Sequence, residues 1–424
     1  MINTSIHSRK PELPDFELPN GFDSSDEYLR HLVMLGLEKK YPDKVNTVIK
    51  QAEHELEIIK QLGYTDYFLI IADIIAWARK QGIPVGSGRG SAPSSLIAYA
   101  LDITSIDPFK YDLVFERFVN LEYPAIPDID TDFSAIFRDE VVNYVVEKYG
   151  KNRVGQISVY SNDAKESCIH ATGIVISKKN LDEYGDVYLN QKNDILVTKY
   201  STDELEKHGL VKIDFLGLKT LDTIYDNERT ICERENEYAD FSINDIPLND
   251  KATFNLFCEG RTIGIFQFES GGIREFLQKL KPDCLEHLIA LSALYRPGPM
   301  ALIPEYIERK AECKPVEYPH PCLEDILKET YGLIIYQEQV IQIIHRIAGY
   351  SLGEADVLRR HLQKNNIDEK SRFIISAANQ GFKEEEANNI FDILVPHSSY
   401  AFNKSHAVSY ALLAYQTAYL KANF

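Results

Sequence analysis

No stretch of this sequence is apolar for long enough to span a membrane. The opening residues, MINTSIHSRKPELPDFELPNGFD, do not have the makeup of a secretory signal peptide. Tandem repeats and low-complexity tracts are also missing, which argues against a solenoid. No C-x-x-C pair occurs among the six cysteines, Cys168, Cys232, Cys258, Cys284, Cys313 and Cys322. They read as reduced thiols in a cytoplasmic protein, not as a zinc site or a disulfide framework. Positive charge is scarce: 46 Lys and Arg face 64 Asp and Glu, a net charge of -18. That balance argues against a protein that coats nucleic acid non-specifically, but it leaves room for a local basic groove. What remains is 424 residues, 44% apolar and 26% charged, enough for two or three globular domains.

Residues 1–25 are rich in Pro, Asn, Ser and Asp and read as a linker or lead-in arm. From Asp26 to Gln81 apolar residues recur at three- and four-residue spacing, as in VIKQAEHELEIIKQLG, and predict helices. A strand-like IPV, a glycine-rich turn and a helical PSSLIAYALDI follow. RDEVVNYVVEKYG predicts an amphipathic helix stopping at Gly150. TGIVIS, DILVTKY and GLVKIDFLGL read as strands. Beyond Leu218 the pattern is mainly helical, with Ser351 and Glu354 in capping-box spacing and a final helix from NKSHAVSYALLAYQTAYLKANF. The expected fold class is α+β and multidomain: a mixed-sheet unit over 26–217, then a helical unit over 218–424.

IPDIDTDF places Asp128, Asp130 and Asp132 on alternate positions. In an extended strand these share one face, where like charges repel unless a cation or open water separates them. An EF-hand loop would need Gly at its sixth position and Glu at its twelfth, and here stand Phe133 and Asp139. A solvated edge strand is the other alternative, against which Ile126, Ile129 and Phe133 suggest an inward-packed opposite face. A further carboxylate, Asp214, lies in the apolar run LVKIDFLGL, where an unpaired charge is costly. Lys212, two residues earlier, either neutralises Asp214 or faces a phosphate.

GSGRGSAPSS, residues 86–95, lies between a strand and a helix. Its backbone N–H groups and the helix start would suit an anion, with Gly90 and Ser91 cradling a phosphate and Arg89 adding charge. It matches neither the Walker pattern nor the dinucleotide fingerprint, because Ser91 follows Gly90. A plain tight turn remains an equal alternative.

Several stretches are similar to the alpha subunit of bacterial DNA polymerase III, the C-family replicative polymerases. They include YFLIIADIIAWARKQGIPVGSGRGSAPSSLIAYALDITSIDPFKYDLVFERFVN, PDIDTDF, GLVKIDFLGLKTL, GIFQFESGGIREFLQKLKP, LIALSALYRPGPM, ETYGLIIYQEQV, AGYSLGEADVLRR and FNKSHAVSYALLAYQTAYLK, in family order over nearly the whole chain. The resemblance implies a nucleotidyltransferase-like palm followed by fingers, joining dNTPs to a primer 3′-OH on primer-template DNA with two Mg²⁺ ions. It implies two metal ligands among Asp128, Asp130 and Asp132, with Asp130 and Asp132 favoured, and Asp214 as the third. Gly90 and Ser91 resemble the family's triphosphate-binding pair. Arg117, Lys212, Arg359 and Arg360 resemble its other phosphate contacts, and Asn403, Lys404, Ser405 and His406 its finger segment near nucleotide and template. Taken singly, LRR also reads as a solvated helix face and Asn403 as a helix cap. Tyr410, Tyr415 and Tyr419 suit core or base stacking equally.

The sequence departs from the family in three ways. The N-terminal PHP domain and the clamp-binding, helix-hairpin-helix and OB-type regions, and with them contacts to other replisome subunits, are expected to be absent. Only SVYSNDAKESCI, residues 158–169, stands where the family inserts its duplex-gripping thumb. SAPSS replaces the family's SAAGS, and HLQKNN replaces a Lys-rich run. Weak, non-processive DNA binding follows, since duplex affinity rests on cationic phosphate contacts. The alternatives to a polymerase core are a polymerase-like binding remnant and another metal-dependent phosphoryl-transfer enzyme such as a nuclease.

Overall fold

The computed structural model describes residues 12–160, 167–200, 202–234, 238–364 and 369–424. The chain divides into two units, one of Met1–Pro108 with Phe118–Asp222, the other of Phe109–Arg117 with Thr223–Phe424. The division thus falls a few residues beyond the expected boundary. It also assigns Arg117, expected in the palm, to the second unit.

The first unit opens with α1 (Ser25–Lys40), α2 (Val45–Leu62) and α3 (Thr65–Lys80). Ser24 caps α1 by accepting from the Glu27 N–H, and Gly63 ends α2 in the left-handed conformation. α3 buries a nearly continuous apolar surface, including Tyr67, Phe68, Ile70, Ile71, Ile74 and Ile75. The expected helix after the glycine-rich turn is short, α4 (Leu96–Ala100). β1 (Thr131–Ser134), α5 (Arg138–Tyr149), β2 (Val154–Tyr160), β3 (Ser167–Ile176), β4 (Val187–Asn190), β5 (Ile195–Thr198), α6 (Thr202–Lys207) and β6 (Val211–Leu218) complete this unit.

The six strands form one mixed sheet in the order β1-β6-β3-β2-β5-β4. β1 runs parallel to β6 and β2 parallel to β5, while the other neighbours are antiparallel. On β6, Val211, Ile213 and Phe215 alternate with Lys212, Asp214 and Leu216, so one face is apolar and the other carries the charges. A core of Ile157, Val175, Leu181, Leu205 and Leu210 packs against the sheet. Residues 161–166 of the short joint expected at 158–169 lie outside the described residues.

The acidic stretch does not form the long strand expected of it. Pairing begins only at Thr131, opposite Phe215. Pro127 has no N–H to offer a ladder, and the Ile129 N–H is donated instead to the Tyr67 hydroxyl, 3.0 Å away. IPV contributes a single bridge, from Val85 to Phe133.

The second unit is helical: α7 (Lys219–Arg234, its first turn still in the first unit), α8 (Lys251–Cys258), α9 (Gly271–Leu280), α10 (Leu285–Leu294), α11 (Ile303–Lys310), α12 (Glu324–Leu327), α13 (Gln337–Ala348), α14 (Leu352–Gln363), α15 (Lys370–Asn379), α16 (Glu384–Tyr400) and α17 (Lys404–Asn423). The Ser351–Glu354 capping box is formed in both directions at the start of α14. Helices α13 to α16 enclose a core of Ile343, Ile347, Leu358, Phe373, Phe391 and Leu394. Among the described residues no helix is long and apolar enough to cross a membrane, and all six cysteines are free.

Candidate active site

Carboxylate oxygens of Asp128, Asp130 and Asp214 lie within 4.8 Å of one another in the first unit. Asp214 comes from β6 and the other two from the irregular segment leading into β1, which the β1–β6 pairing brings alongside. Asp132 is not part of this group. It sits on β1 itself and accepts a hydrogen bond from Arg89 Nη1 at 3.2 Å, while Arg89 Nε stands 4.0 Å from Asp130 Oδ2. Strand geometry starts between Asp130 and Asp132, so the three alternate aspartates do not share a face.

Each carboxylate has a distinct electrostatic setting. Burial, reinforced by the charges of Asp128 and Asp214, pushes Asp130 up to about 7. Burial also raises Asp128, with Asp214 adding to it and Lys212 opposing. Burial raises Asp132, partly offset by Arg89. Asp214 is the exception: burial is outweighed by hydrogen bonds from Lys212 and Thr172, which hold it below its ordinary value. Lys212 Nζ stands 2.5 Å from Asp214 Oδ2, and Thr172 Oγ1 donates to Oδ1 at 2.9 Å. The Lys212–Asp214 ion pair expected as one alternative is therefore formed. Asp130 Oδ1 is buried without a hydrogen-bond partner among the described residues. An orphaned carboxylate oxygen beside two more carboxylates fits a divalent cation with oxygen ligands.

The glycine-rich turn crosses directly over this segment. The Gly86 N–H donates to the Asp132 carbonyl at 2.8 Å, and a Cβ on Gly86 would stand 3.0 Å from Asp132 Cβ. Gly88 has φ +104, and a side chain there would meet Thr104 Cγ2 at 2.7 Å. Gly90, also left-handed, has open space where its side chain would be. The helix start that follows is already filled. Glu55 of α2, fully buried, accepts from Ser95 Oγ at 2.9 Å, the Leu96 N–H at 3.1 Å and the Ile97 N–H at 3.2 Å. Any anion at this turn thus meets only the N–H groups ahead of α4.

Burial lifts Glu55 to about 7 despite those hydrogen bonds. The folded chain therefore holds this proton more tightly than the unfolded chain, whose Glu titrates near 4.5. The contribution is full below that value and is lost as pH rises through about 7. Glu55→Gln removes the titration. In urea unfolding at pH 5 and pH 8, wild type should lose more stability with rising pH than the variant, by up to about 3 kcal/mol. Parallel pH dependence in the two proteins would show that Glu55 is not buried as described.

In the second unit, Arg359 is 2% exposed and its partner Asp356 0% exposed. Asp356 accepts from Arg359 Nε at 2.8 Å and from Arg360 Nε at 2.6 Å, and Gln363 Oε1 accepts from Arg359 Nη1 at 3.3 Å. Arg117 Nε donates to Gln337 Oε1 at 2.7 Å. Burial, with Arg359 nearby, pulls the Arg117 guanidinium down to about 10. Arg117, Arg359 and Arg360 gather near the buried carboxylate of Asp356, with buried Glu338 also acting on Arg117, and their guanidinium groups suit an anion. In the NKSH segment, Asn403 caps α17 through the His406 N–H at 3.2 Å, and Glu338 accepts from the Lys404 N–H at 2.8 Å and the Ser405 N–H at 3.4 Å. Lys404 Nζ is paired with Glu329 at 2.7 Å, and His406 packs on Phe402 and Tyr410. Tyr415 is buried, donating to the Pro247 carbonyl at 2.8 Å. Here the capping alternative read from the sequence is what is formed.

Sequence reasoning missed Thr172, Tyr67, Glu55, Asp356 and Glu338. Thr172 was legible in principle, since HATGIVIS reads as a strand and β3 pairs Gly173 with Asp214.

Known proteins resemble this chain along almost its full length. The family model described as the bacterial DNA polymerase III alpha NTPase domain matches residues 27–169 and 161–217, two pieces that overlap at 161–169. The bacterial DNA polymerase III alpha subunit finger domain matches residues 220–385. The DNA polymerase III subunit alpha of Treponema pallidum (strain Nichols) is 42% identical over 492 positions, covering 100% of this chain and 42% of the relative. Its counterpart from Borreliella burgdorferi is 42% identical, covering 98% of this chain and 42% of the relative. The Bacillus subtilis (strain 168) protein is 37% identical, covering 97% and 43%. The chain thus spans less than half the length of these relatives.

Proposed function

Because the chain belongs to the bacterial DNA polymerase III alpha family, we propose that it carries a DNA polymerase core transferring nucleotides from dNTPs to a primer 3′-OH. The observation that carries this reading is the Asp128–Asp130–Asp214 cluster with its orphaned Asp130 oxygen. These three residues would hold Mg²⁺, with Asp132 keeping Arg89 in position beside them. Bound there, two Mg²⁺ ions would lower the pKa of the primer hydroxyl and steady the leaving pyrophosphate.

The remaining roles fall to this chain's own groups. Lys212 holds Asp214 ionised and oriented, while Asp130, pushed up to about 7, would give up its proton on binding a cation. The turn carrying Arg89, Gly90 and Ser91 offers backbone N–H groups to a triphosphate. Arg117, Arg359 and Arg360 supply fork-shaped donors to phosphate oxygens, with Asp356 fixing the direction of two of them. Asn403, Lys404, Ser405 and His406 order the start of α17 and act on nucleotide and template through that helix.

The alternative reading is a binding remnant with a formed site and too little grip on DNA. It draws support from the meeting of the two matched pieces at 161–169, where the family's thumb is expected. The alignment to the Treponema relative, over 492 positions against 424 residues, points the same way. Single-nucleotide primer extension at high enzyme concentration, with Mg²⁺ and the four dNTPs, separates the readings. Addition that stops on chelation supports the polymerase. Absence of addition, with Mg²⁺ and dNTP binding intact, supports the remnant.

A further inference from the structure

A second cluster of metal-ligating groups lies in the helical unit, apart from the carboxylates of the sheet. Cys284 immediately precedes α10, and His287 is three residues on, the spacing at which helical neighbours meet. Cys284 Sγ lies 3.2 Å from His287 Nδ1, and Asp283 Oδ1 lies 3.0 Å from the same nitrogen. One sulfur, one nitrogen and one carboxylate oxygen thus fall within 4.8 Å of one another. Thiol, imidazole and carboxylate together suit Zn²⁺ or Co²⁺, whereas Mg²⁺ favours oxygen ligands alone.

The surroundings hold these groups in a ligating arrangement. Tyr331 OH is 2.8 Å from His287 Nε2, which fixes the ring with Nδ1 toward the cluster. Lys310 Nζ is 3.2 Å from Asp283 Oδ2, leaving Oδ1 turned to the imidazole. A nucleophilic Cys–His–Asp relay is the obvious rival, and the geometry rejects it. Sulfur and carboxylate both face Nδ1, whereas a relay needs them on opposite ring nitrogens.

We propose that Asp283, Cys284 and His287 bind one transition-metal ion of the Zn²⁺ class, with solvent in the fourth position. The D-C-x-x-H spacing lacks a second cysteine, which is why the sequence offered no sign of it.

The test is Co²⁺ titration of the whole chain in excess Mg²⁺, which occupies oxygen-only sites. The expected result is a sulfur-to-cobalt charge-transfer band that saturates at one equivalent and is displaced by Zn²⁺. Cys284→Ser, nearly the same size, should lose the band while retaining its thermal unfolding transition. Tyr331→Phe should keep the band and weaken Co²⁺ by about tenfold or more. No charge-transfer band, or a band unchanged in Cys284→Ser, would overturn the assignment.

Discussion

Asp214→Asn should reduce Mg²⁺-dependent nucleotide addition by a factor on the order of 10³, since loss of a metal-holding carboxylate costs several kcal/mol of transition-state stabilisation. The amide keeps the shape of the side chain and can still accept from Thr172. It cannot neutralise Lys212, whose ammonium would face a neutral group at the present 2.5 Å separation. Asp128→Asn should match this loss, because Asp128 completes the oxygen cluster. Asp132→Asn should cost less than about tenfold, since its amide oxygen can still accept from Arg89 and the cluster loses no oxygen. Single-turnover rates of the three variants at saturating Mg²⁺ decide the matter. Loss in Asp132→Asn with retention in Asp128→Asn would restore the strand pair favoured from the sequence, Asp130 with Asp132.

The largest effect on stability is expected at Asp356. This fully buried carboxylate satisfies both Arg359 and Arg360. Asn in its place would leave the buried Arg359 charge without its anion, and breaking such a pair costs about 3–5 kcal/mol. For a helical unit of this size the midpoint of thermal unfolding should fall by about 10 °C. The double variant Asp356→Asn with Arg359→Met should recover much of that loss, because the uncompensated charge goes with the arginine. Calorimetry on wild type, both single variants and the double variant measures the coupling. Additive losses would mean that the two residues do not depend on each other.

How much could be seen beforehand depended on the range of the interaction. α14 was legible from Ser351 and Glu354, and α5 from an apolar period ending at Gly150, because caps and stripes are local. β3, β5 and β6 were legible as apolar runs. The Asp356–Arg359–Arg360 arrangement was present in the spacing as well, at three and four residues along one helix, though LRR reads as phosphate contacts or a solvated helix face and not as partners of a buried carboxylate. The geometry of the acidic stretch was not legible. Which aspartates face one another depends on where strand pairing begins, and that is set by Tyr67, far away in sequence, taking the Ile129 N–H. Glu55 was hidden in the same way: nothing in EHELEII announces a carboxylate that caps a helix 40 residues later.

The strand order has a consequence for how the site comes into being. β6 lies between β1 and β3, and its register with β1 joins Asp132 to Leu216, 84 residues apart. Closing so large a loop is slow compared with forming the helices at either side. Asp128 and Asp130 therefore have no third carboxylate until the sheet has assembled around β6. A cation that binds the complete cluster would report the closing of β1 onto β6, making the site a built-in clock for that step of refolding.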